Sequence, residues 1–226
     1  MKVISTKEEL KEILGKYYCY ATDYDGTIID SMPLWHHFAS EYLKSKGIDA
    51  EPLLDTKMKY ISNLDAARII YNKYHILNNS TEVCDDINRF MQDKYKTVPL
   101  KNGAKEFLEL LSRSGRNLLS SATPQSLLML SLRALGILGY YKDIYSSSDL
   151  DKSKESGELF KYIIKEENIK RNNMLVIEDS ILAMKICKKM KIDTLIVKDY
   201  SNRNYLDDIN KYATYYIDIE EVFKND

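Results

Sequence analysis

The sequence predicts an α/β protein with a parallel β-sheet core flanked by helices and an all-helical cap domain inserted after the first strand. The aromatic and apolar run at residues 17–23 predicts a buried strand. The segment that follows, up to about residue 96, has apolar residues at helical spacing. From residue 98 onward, predicted strands alternate with helices, as in parallel sheets. The predicted boundaries are residues 1–31 and 98–226 for the α/β core and 32–97 for the cap.

The amino-acid composition indicates a globular protein and gives no sign of nucleic-acid or membrane binding. Of the 226 residues, 44% are hydrophobic and 30% are charged, which is typical of a soluble globular chain. The net charge of −1 gives no basic excess for nucleic acid or an anionic membrane. The charged N-terminus is unlike a secretory signal, and the three widely spaced cysteines indicate a reducing compartment. We therefore expect a cytoplasmic protein, either a monomer or a weak homodimer, with no nucleic acid or membrane partner.

Each element has a local signal. Ser5 and Glu8 have capping-box spacing ahead of a short helix that ends near Gly15. The helical segment is interrupted at Gly47 and Pro52, which end helices. Beyond it, the predicted strands are residues 116–123, 143–149, 173–179 and 193–199, and the predicted helices are 104–115, the segment from Pro124 to Gly136, 156–168 and 180–190. The tail from residue 201 is polar and gives no clear element.

The segment Asp23-Tyr24-Asp25-Gly26-Thr27 begins at the end of the first predicted strand. Side chains alternate along extended backbone, so Asp23 and Asp25 point the same way, and Gly26 allows a sharp turn. Two such carboxylates repel each other unless one is protonated or a cation such as Mg²⁺ lies between them. The alternatives are a turn capped by aspartates, or a calcium loop, although its glycine falls at the sixth position and here it is the fourth.

A second acidic pair, Glu178-Asp179, stands at the end of the predicted strand at residues 173–179. Neighbouring parallel strands end at the same edge of a sheet, so this pair could meet Asp23 and Asp25 at one metal ion. The alternative is a helix cap, because Asp179 or Ser180 could cap the helix that follows.

Two further residues could bind an anion. Ser121 stands at the end of a predicted strand, just before a helix N-terminus, where free N–H groups favour phosphate. The alternative role of Ser121, and of Thr123 beside it, is to cap the helix that follows. Lys154 could offset the acidic pairs and hold a phosphate oxygen, but Lys152 is two residues away and the choice between them is open.

The order of these motifs resembles the haloacid-dehalogenase (HAD) superfamily over nearly the whole chain. DYDGTIIDS resembles its first motif, SSATP the second, KESGELF the third and VIEDSILAMK the fourth. The spacing resembles the branch with a helical cap, which includes phosphoglycolate phosphatases and β-phosphoglucomutases. The resemblance implies a Rossmann-like core. The chain departs from the family pattern at Glu155 and Gly157, where prolines are usual, and at Ala183, where glycine is common.

The resemblance also implies roles for individual residues. Asp23 would be the nucleophile that forms an aspartyl phosphate, and Asp25 would be the general acid and base. The implied phosphate-binding residues are Ser121, Lys154, Thr27 and Gly26. The implied Mg²⁺ ligands are Asp23, Asp179, the backbone carbonyl of Asp25 and Glu178.

The helical cap is expected to close over the site and to select the substrate. Trp35 and His36 are candidate cap residues, with ordinary packing as their alternative. Tyr60 and Asn63 occupy positions where the mutase pattern has glycine and arginine, which favours a phosphatase. The expected function is a Mg²⁺-dependent phosphatase acting on a small phosphorylated metabolite: a sugar phosphate, phosphoglycolate or a nucleotide monophosphate. The alternatives are a phosphosugar mutase and a catalytically silent binding protein.

Overall fold

A computed structural model describes residues 1–58 and 63–224. The chain divides into two compact units. The first combines Met1–Asp30 with Pro99–Asp226, and the second is Ser31–Val98. Among the described residues, no helix is both long and apolar enough to cross a lipid bilayer.

The first unit is built on a parallel sheet. In the described part of the chain, the sheet has seven strands in the order β1-β7-β6-β5-β2-β3-β4. Every neighbouring pair is parallel. The strands are β1 (Lys2–Ile4), β2 (Cys19–Thr22), β3 (Arg116–Ser121), β4 (Asp143–Ser146), β5 (Met174–Glu178), β6 (Asp193–Val197) and β7 (Tyr215–Ile217).

Helices connect these strands, as parallel pairing requires. In the first unit they are α1 (Lys7–Leu14), α6 (Ala104–Ser114), α7 (Gln125–Ala134), α8 (Ser147–Leu150), α9 (Glu158–Glu166), α10 (Ile181–Met190), α11 (Leu206–Tyr212) and α12 (Ile219–Phe223). The described part of the second unit contains α2 (Met32–Ser45), α3 (Leu54–Met58), α4 (Asn63–Tyr74) and α5 (Ser80–Tyr95). The predicted fold class, an α/β core with an all-helical insert, is confirmed.

The centre of the sheet fixes the position of the acidic motifs. Every residue of β2 and β5 is buried, as expected for strands covered on both faces. The register pairs Thr22 with Ile177, and the backbone N–H of Asp23 donates to the carbonyl oxygen of Ile177 at 2.8 Å. Asp23 and Glu178 therefore leave the sheet side by side at its carboxyl edge.

Some predicted elements differ from the structure. Strand β4 ends at Ser146, not at residue 149, because the Ser146 side chain accepts a hydrogen bond from Asp149 N and caps α8. The N-terminal cap of α1 is Thr6, which accepts from Glu9 N at 3.2 Å, one position after the predicted cap. Strands β1 and β7 were not predicted, since three residues are too few for a period-two pattern.

Candidate active site

Asp23 lies at the end of β2, with only 6% of its surface exposed. Its Oδ1 accepts a hydrogen bond from the Lys154 ammonium at 2.5 Å, and its Oδ2 accepts one from Thr27 Oγ1 at 3.2 Å. The tight loop after β2 brings Thr27 back to the strand end, and Gly26 makes this turn with a φ of 74°, a left-handed conformation that favours glycine.

Glu178 and Asp179 lie beside Asp23 at the end of β5 and are also buried. Glu178 Oε1 accepts from Lys154 Nζ at 2.6 Å, and its Oε2 accepts from Ser180 N at 3.0 Å. The Ser180 side chain caps α10, so the Asp179 carboxylate is not the helix cap. Asp179 Oδ1 instead accepts from Thr27 Oγ1 at 3.3 Å, which ties both acidic motifs to the same hydroxyl.

The three carboxylates form one cluster. Each of Asp23, Glu178 and Asp179 offers an oxygen that lies within 4.8 Å of the others. Burial, followed by the charge of Glu178, raises the pKa of Asp23 well above its usual range. The same two causes raise the pKa of Asp179 to about 7. A set of buried oxygen donors whose ionised forms are destabilised in this way fits a hard divalent cation.

Lys154 supplies positive charge to this cluster. Burial alone would lower the pKa of its ammonium, but the carboxylates of Asp23 and Glu178 outweigh that effect and raise it. Lys152 lies elsewhere, with its ammonium 5.3 Å from the centre of the Tyr162 ring. Lys154 therefore contacts the carboxylate cluster and Lys152 does not, a choice that the sequence left open.

Asp25 points to a different partner. Its Oδ2 accepts a hydrogen bond from Thr123 Oγ1 at 2.7 Å, and its carboxylate is not part of the three-carboxylate cluster found in the described residues. This arrangement places Asp25 next to the loop after β3, so the loops that follow β2 and β3 share a contact. The Thr123 hydroxyl therefore donates its hydrogen bond to Asp25.

Ser121 ends β3 and is 1% exposed. Its Oγ accepts from Thr123 N at 3.1 Å, a local turn that holds the hydroxyl at the carboxyl edge of the sheet. The cap position of α7 is Pro124, and neither Ser121 nor Thr123 occupies it. The helix-cap alternative for both residues is therefore wrong.

A sequence model for haloacid dehalogenase-like hydrolases matches residues 21–197. The chain belongs to this family. The match spans every candidate residue of the cluster, from Asp23 to Asp179. The HAD resemblance predicted from the four motifs is therefore confirmed, and with it the assignment of the chain as a hydrolase. No curated protein sequence matches the chain.

Solved structures of HAD proteins share the fold. A predicted phosphoglycolate phosphatase from Haemophilus somnus has a TM-score of 0.73 and 14% identity, covering 93% of this chain and 98% of that one. β-Phosphoglucomutase from Clostridium difficile has a TM-score of 0.68 and 20% identity, covering 91% and 92%. The protein YfnB from Bacillus subtilis, whose structure contains magnesium, has a TM-score of 0.70 and 18% identity, covering 89% and 94%. At these identities the likeness shows the fold.

A loop that was not predicted from the sequence contacts the carboxylate cluster. After β6, Ser201 Oγ donates to Asp179 Oδ2 at 2.9 Å, and Asn202 Nδ2 donates to the carbonyl oxygen of Asp179 at 3.0 Å. Asp199 anchors the loop through an ion pair with Lys101 at 2.5 Å. Asp199 also stands at the end of a predicted strand, so the signal that identified Asp23 and Asp179 could have identified it too.

The candidate cap residues belong to the second unit. Trp35 donates from Nε1 to Tyr95 Oη at 2.9 Å, and its ring makes edge contacts with Phe38 and Tyr95. These contacts support the packing alternative for Trp35. His36 is half-buried in the same helix, and a substrate role for either residue stays a prediction. Tyr60 lies outside the described residues, and the side chain of Asn63 is not described.

Proposed function

We propose that this HAD-family hydrolase is a Mg²⁺-dependent phosphatase that hydrolyses a small phosphorylated metabolite through an aspartyl phosphate on Asp23. The observation that carries the proposal is the buried cluster of Asp23, Glu178 and Asp179, with the Lys154 ammonium 2.5 and 2.6 Å from two of its members. A carboxylate can approach a phosphate only if positive charge cancels their repulsion, and this cluster can bind positive charge.

The proposed reaction has two steps. In the first, an Asp23 oxygen forms a bond to phosphorus while the ester P–O bond breaks, and Asp25 gives its proton to the leaving alkoxide. In the second, Asp25 takes a proton from water as that water attacks phosphorus, which releases inorganic phosphate and restores the Asp23 carboxylate. The hydrogen bond from Thr123 to Asp25 supports this division of labour, because it holds Asp25 apart from the cluster.

The remaining residues position the groups. Asp23, Asp179, Glu178 and the backbone carbonyl of Asp25 would hold Mg²⁺, whose chemistry is to neutralise charge on the transferring phosphoryl group. In the proposal, Lys154, Ser121, Thr27 and the Gly26 backbone bind phosphoryl oxygens. Burial of Ser121 and Lys154 keeps water away from these contacts, which strengthens them.

The proposal includes a substrate class. We propose a sugar phosphate, phosphoglycolate or a nucleotide monophosphate, handled by a cytoplasmic monomer or weak homodimer. The second candidate function is a phosphosugar mutase, favoured by the fold shared with β-phosphoglucomutase from C. difficile. A mutase requires a bisphosphate primer and conserves phosphate, whereas a phosphatase releases it.

A phosphate-release assay tests the proposal. Purified protein is screened with p-nitrophenyl phosphate and a panel of phosphorylated metabolites, with Mg²⁺ and with EDTA. We expect turnover only with Mg²⁺, and none from Asp23→Asn. The matched control, Asp207→Asn, removes the same charge at an exposed position of α11 and keeps wild-type turnover. Full activity of Asp23→Asn would overturn the mechanism, and a folded wild-type protein inactive on every phosphoester would favour a silent binding protein.

A further inference from the structure

A cavity lies in the α/β unit, away from the carboxylate cluster. Its volume is about 840 Å³, and residues that precede β5 and β6 line it, among them Arg171 and Ile192. These residues stand at the amino ends of the strands, whereas Glu178 and Asp179 stand at the carboxyl end of β5. Because β5 has five residues at about 3.3 Å each, the two sites lie at opposite edges of the sheet.

Positive charge surrounds this cavity. Lys161, Lys170, Arg171 and Lys191 line it, and no carboxylate is among the lining residues. Within the part of the chain that the structure describes, no ion pair within 4.0 Å joins any of these four to an acid. The protein as a whole has a net charge of −1, so this concentration of cations is local. Clefts lined by one sign of charge attract ligands of the opposite sign.

The cavity also has an apolar wall. Ile164, Met190 and Ile192 line it, and Ile192 is 3% exposed. Arg171 Nη1 donates to the carbonyl oxygen of Met190 at 3.2 Å, which holds one guanidinium beside this wall. Guanidinium planes and methionine sulfur both make favourable contacts with aromatic rings. The wall therefore suits a flat apolar group, and the cations around it suit the charged end of the same molecule.

We propose that this cavity binds a small anion that combines an aromatic body with several negative charges, of the chemical class of a nucleoside polyphosphate. A ligand with one carboxylate would leave most of the four cations unmatched. Inorganic phosphate would leave the apolar wall unused. The volume lies within the range of ligand cavities, which is roughly 300–1,000 Å³. The proposal does not depend on the phosphatase mechanism.

Calorimetric titration with ATP tests this proposal, using the full chain in EDTA so that the carboxylate cluster holds no metal. Wild-type protein should bind ATP more tightly than it binds inorganic tripolyphosphate, which has the charge without the ring. Lys170→Glu/Arg171→Glu should weaken ATP binding by roughly tenfold or more, since each substitution turns an attraction into a repulsion. Lys161→Glu serves as a second variant, and circular dichroism confirms that both are folded.

Two controls assign the binding to this cavity. Lys105→Glu/Lys142→Glu makes the same change in net charge at exposed positions outside the cavity and should leave ATP affinity within about twofold of wild type. Lys154→Met, in the carboxylate cluster, should also leave ATP affinity unchanged when it is measured on protein that circular dichroism shows to be folded. The proposal is overturned if wild-type protein binds no ATP at millimolar concentration, if tripolyphosphate binds as tightly, or if either control loses binding as the cavity variants do.

Discussion

Replacing Lys154 by methionine tests how the carboxylate cluster is held together. The substitution keeps most of the chain length and removes the ammonium that contacts Asp23 at 2.5 Å and Glu178 at 2.6 Å. Among the described residues, Lys154 is the cation that both acids contact, and its loss leaves their buried charges uncompensated. Removing one member of a buried ion pair costs about 3–5 kcal/mol, so we expect the free energy of unfolding to fall by about that amount. Glu178 keeps the hydrogen bond that it accepts from Ser180 N, so we expect the loss of stability to lie near the lower end of this range.

The measurement is urea denaturation in EDTA at pH 7.5. The pKa of Lys154 is raised in the folded protein, so its stabilisation is fully present below the ordinary lysine pKa and is lost only in strongly alkaline solution. Lowering the pH to 5 should shrink the difference between variant and wild type, because burial raises the pKa of Asp23 and its uncompensated carboxylate takes up a proton. The control Lys152→Met, in the same loop, should change stability by less than about 0.5 kcal/mol. A Lys154→Met protein as stable as wild type at pH 7.5 would refute the charge-compensation argument.

Three further predictions concern the same site. The pKa of Asp179 is raised to about 7, so the folded state binds a proton more readily than the unfolded state. In EDTA, the urea concentration at the unfolding midpoint should therefore fall as the pH rises from about 4 to about 7. With Mg²⁺ present, this fall of the midpoint with pH should disappear. Ser201→Ala removes the donor 2.9 Å from Asp179 Oδ2 and should raise the Mg²⁺ concentration for half-maximal stabilisation about tenfold, whereas the exposed control Ser156→Ala should not. Asp25→Asn should lower kcat/KM for alkyl phosphates by about 10²–10⁴ and for p-nitrophenyl phosphate much less, because kcat/KM reports the step in which the alcohol leaves and a good leaving group needs little protonation. Equal losses of kcat/KM for the two substrates would argue against a general acid.

The sequence was most informative where strand, turn and charge coincide. Strands β2 and β5 are buried runs that lead directly into acidic residues, so both the sheet and the meeting of Asp23 with Asp179 could be predicted. The edge strand β1 has only three residues, with two exposed, and its position depends on pairing with β7 at the far end of the chain.

Other features depend on tertiary placement. Lys152 and Lys154 stand in one loop with similar neighbours, and only the backbone path determines which ammonium enters the carboxylate cluster. Ser201 and Asn202 lie in a polar tail without periodicity, yet the end of β6 places them against Asp179. Such long-range hydrogen bonds have no local sequence signal, because either partner alone resembles a solvated loop residue.

The most direct test of the central claim is a crystal structure grown with Mn²⁺, with its position read from anomalous scattering. We expect one ion coordinated by oxygens of Asp23 and Asp179 at the carboxyl edge of β2 and β5, with oxygen ligands throughout. A map with the ion bound elsewhere, or with the three carboxylates apart and no ion at saturating Mn²⁺, would contradict it.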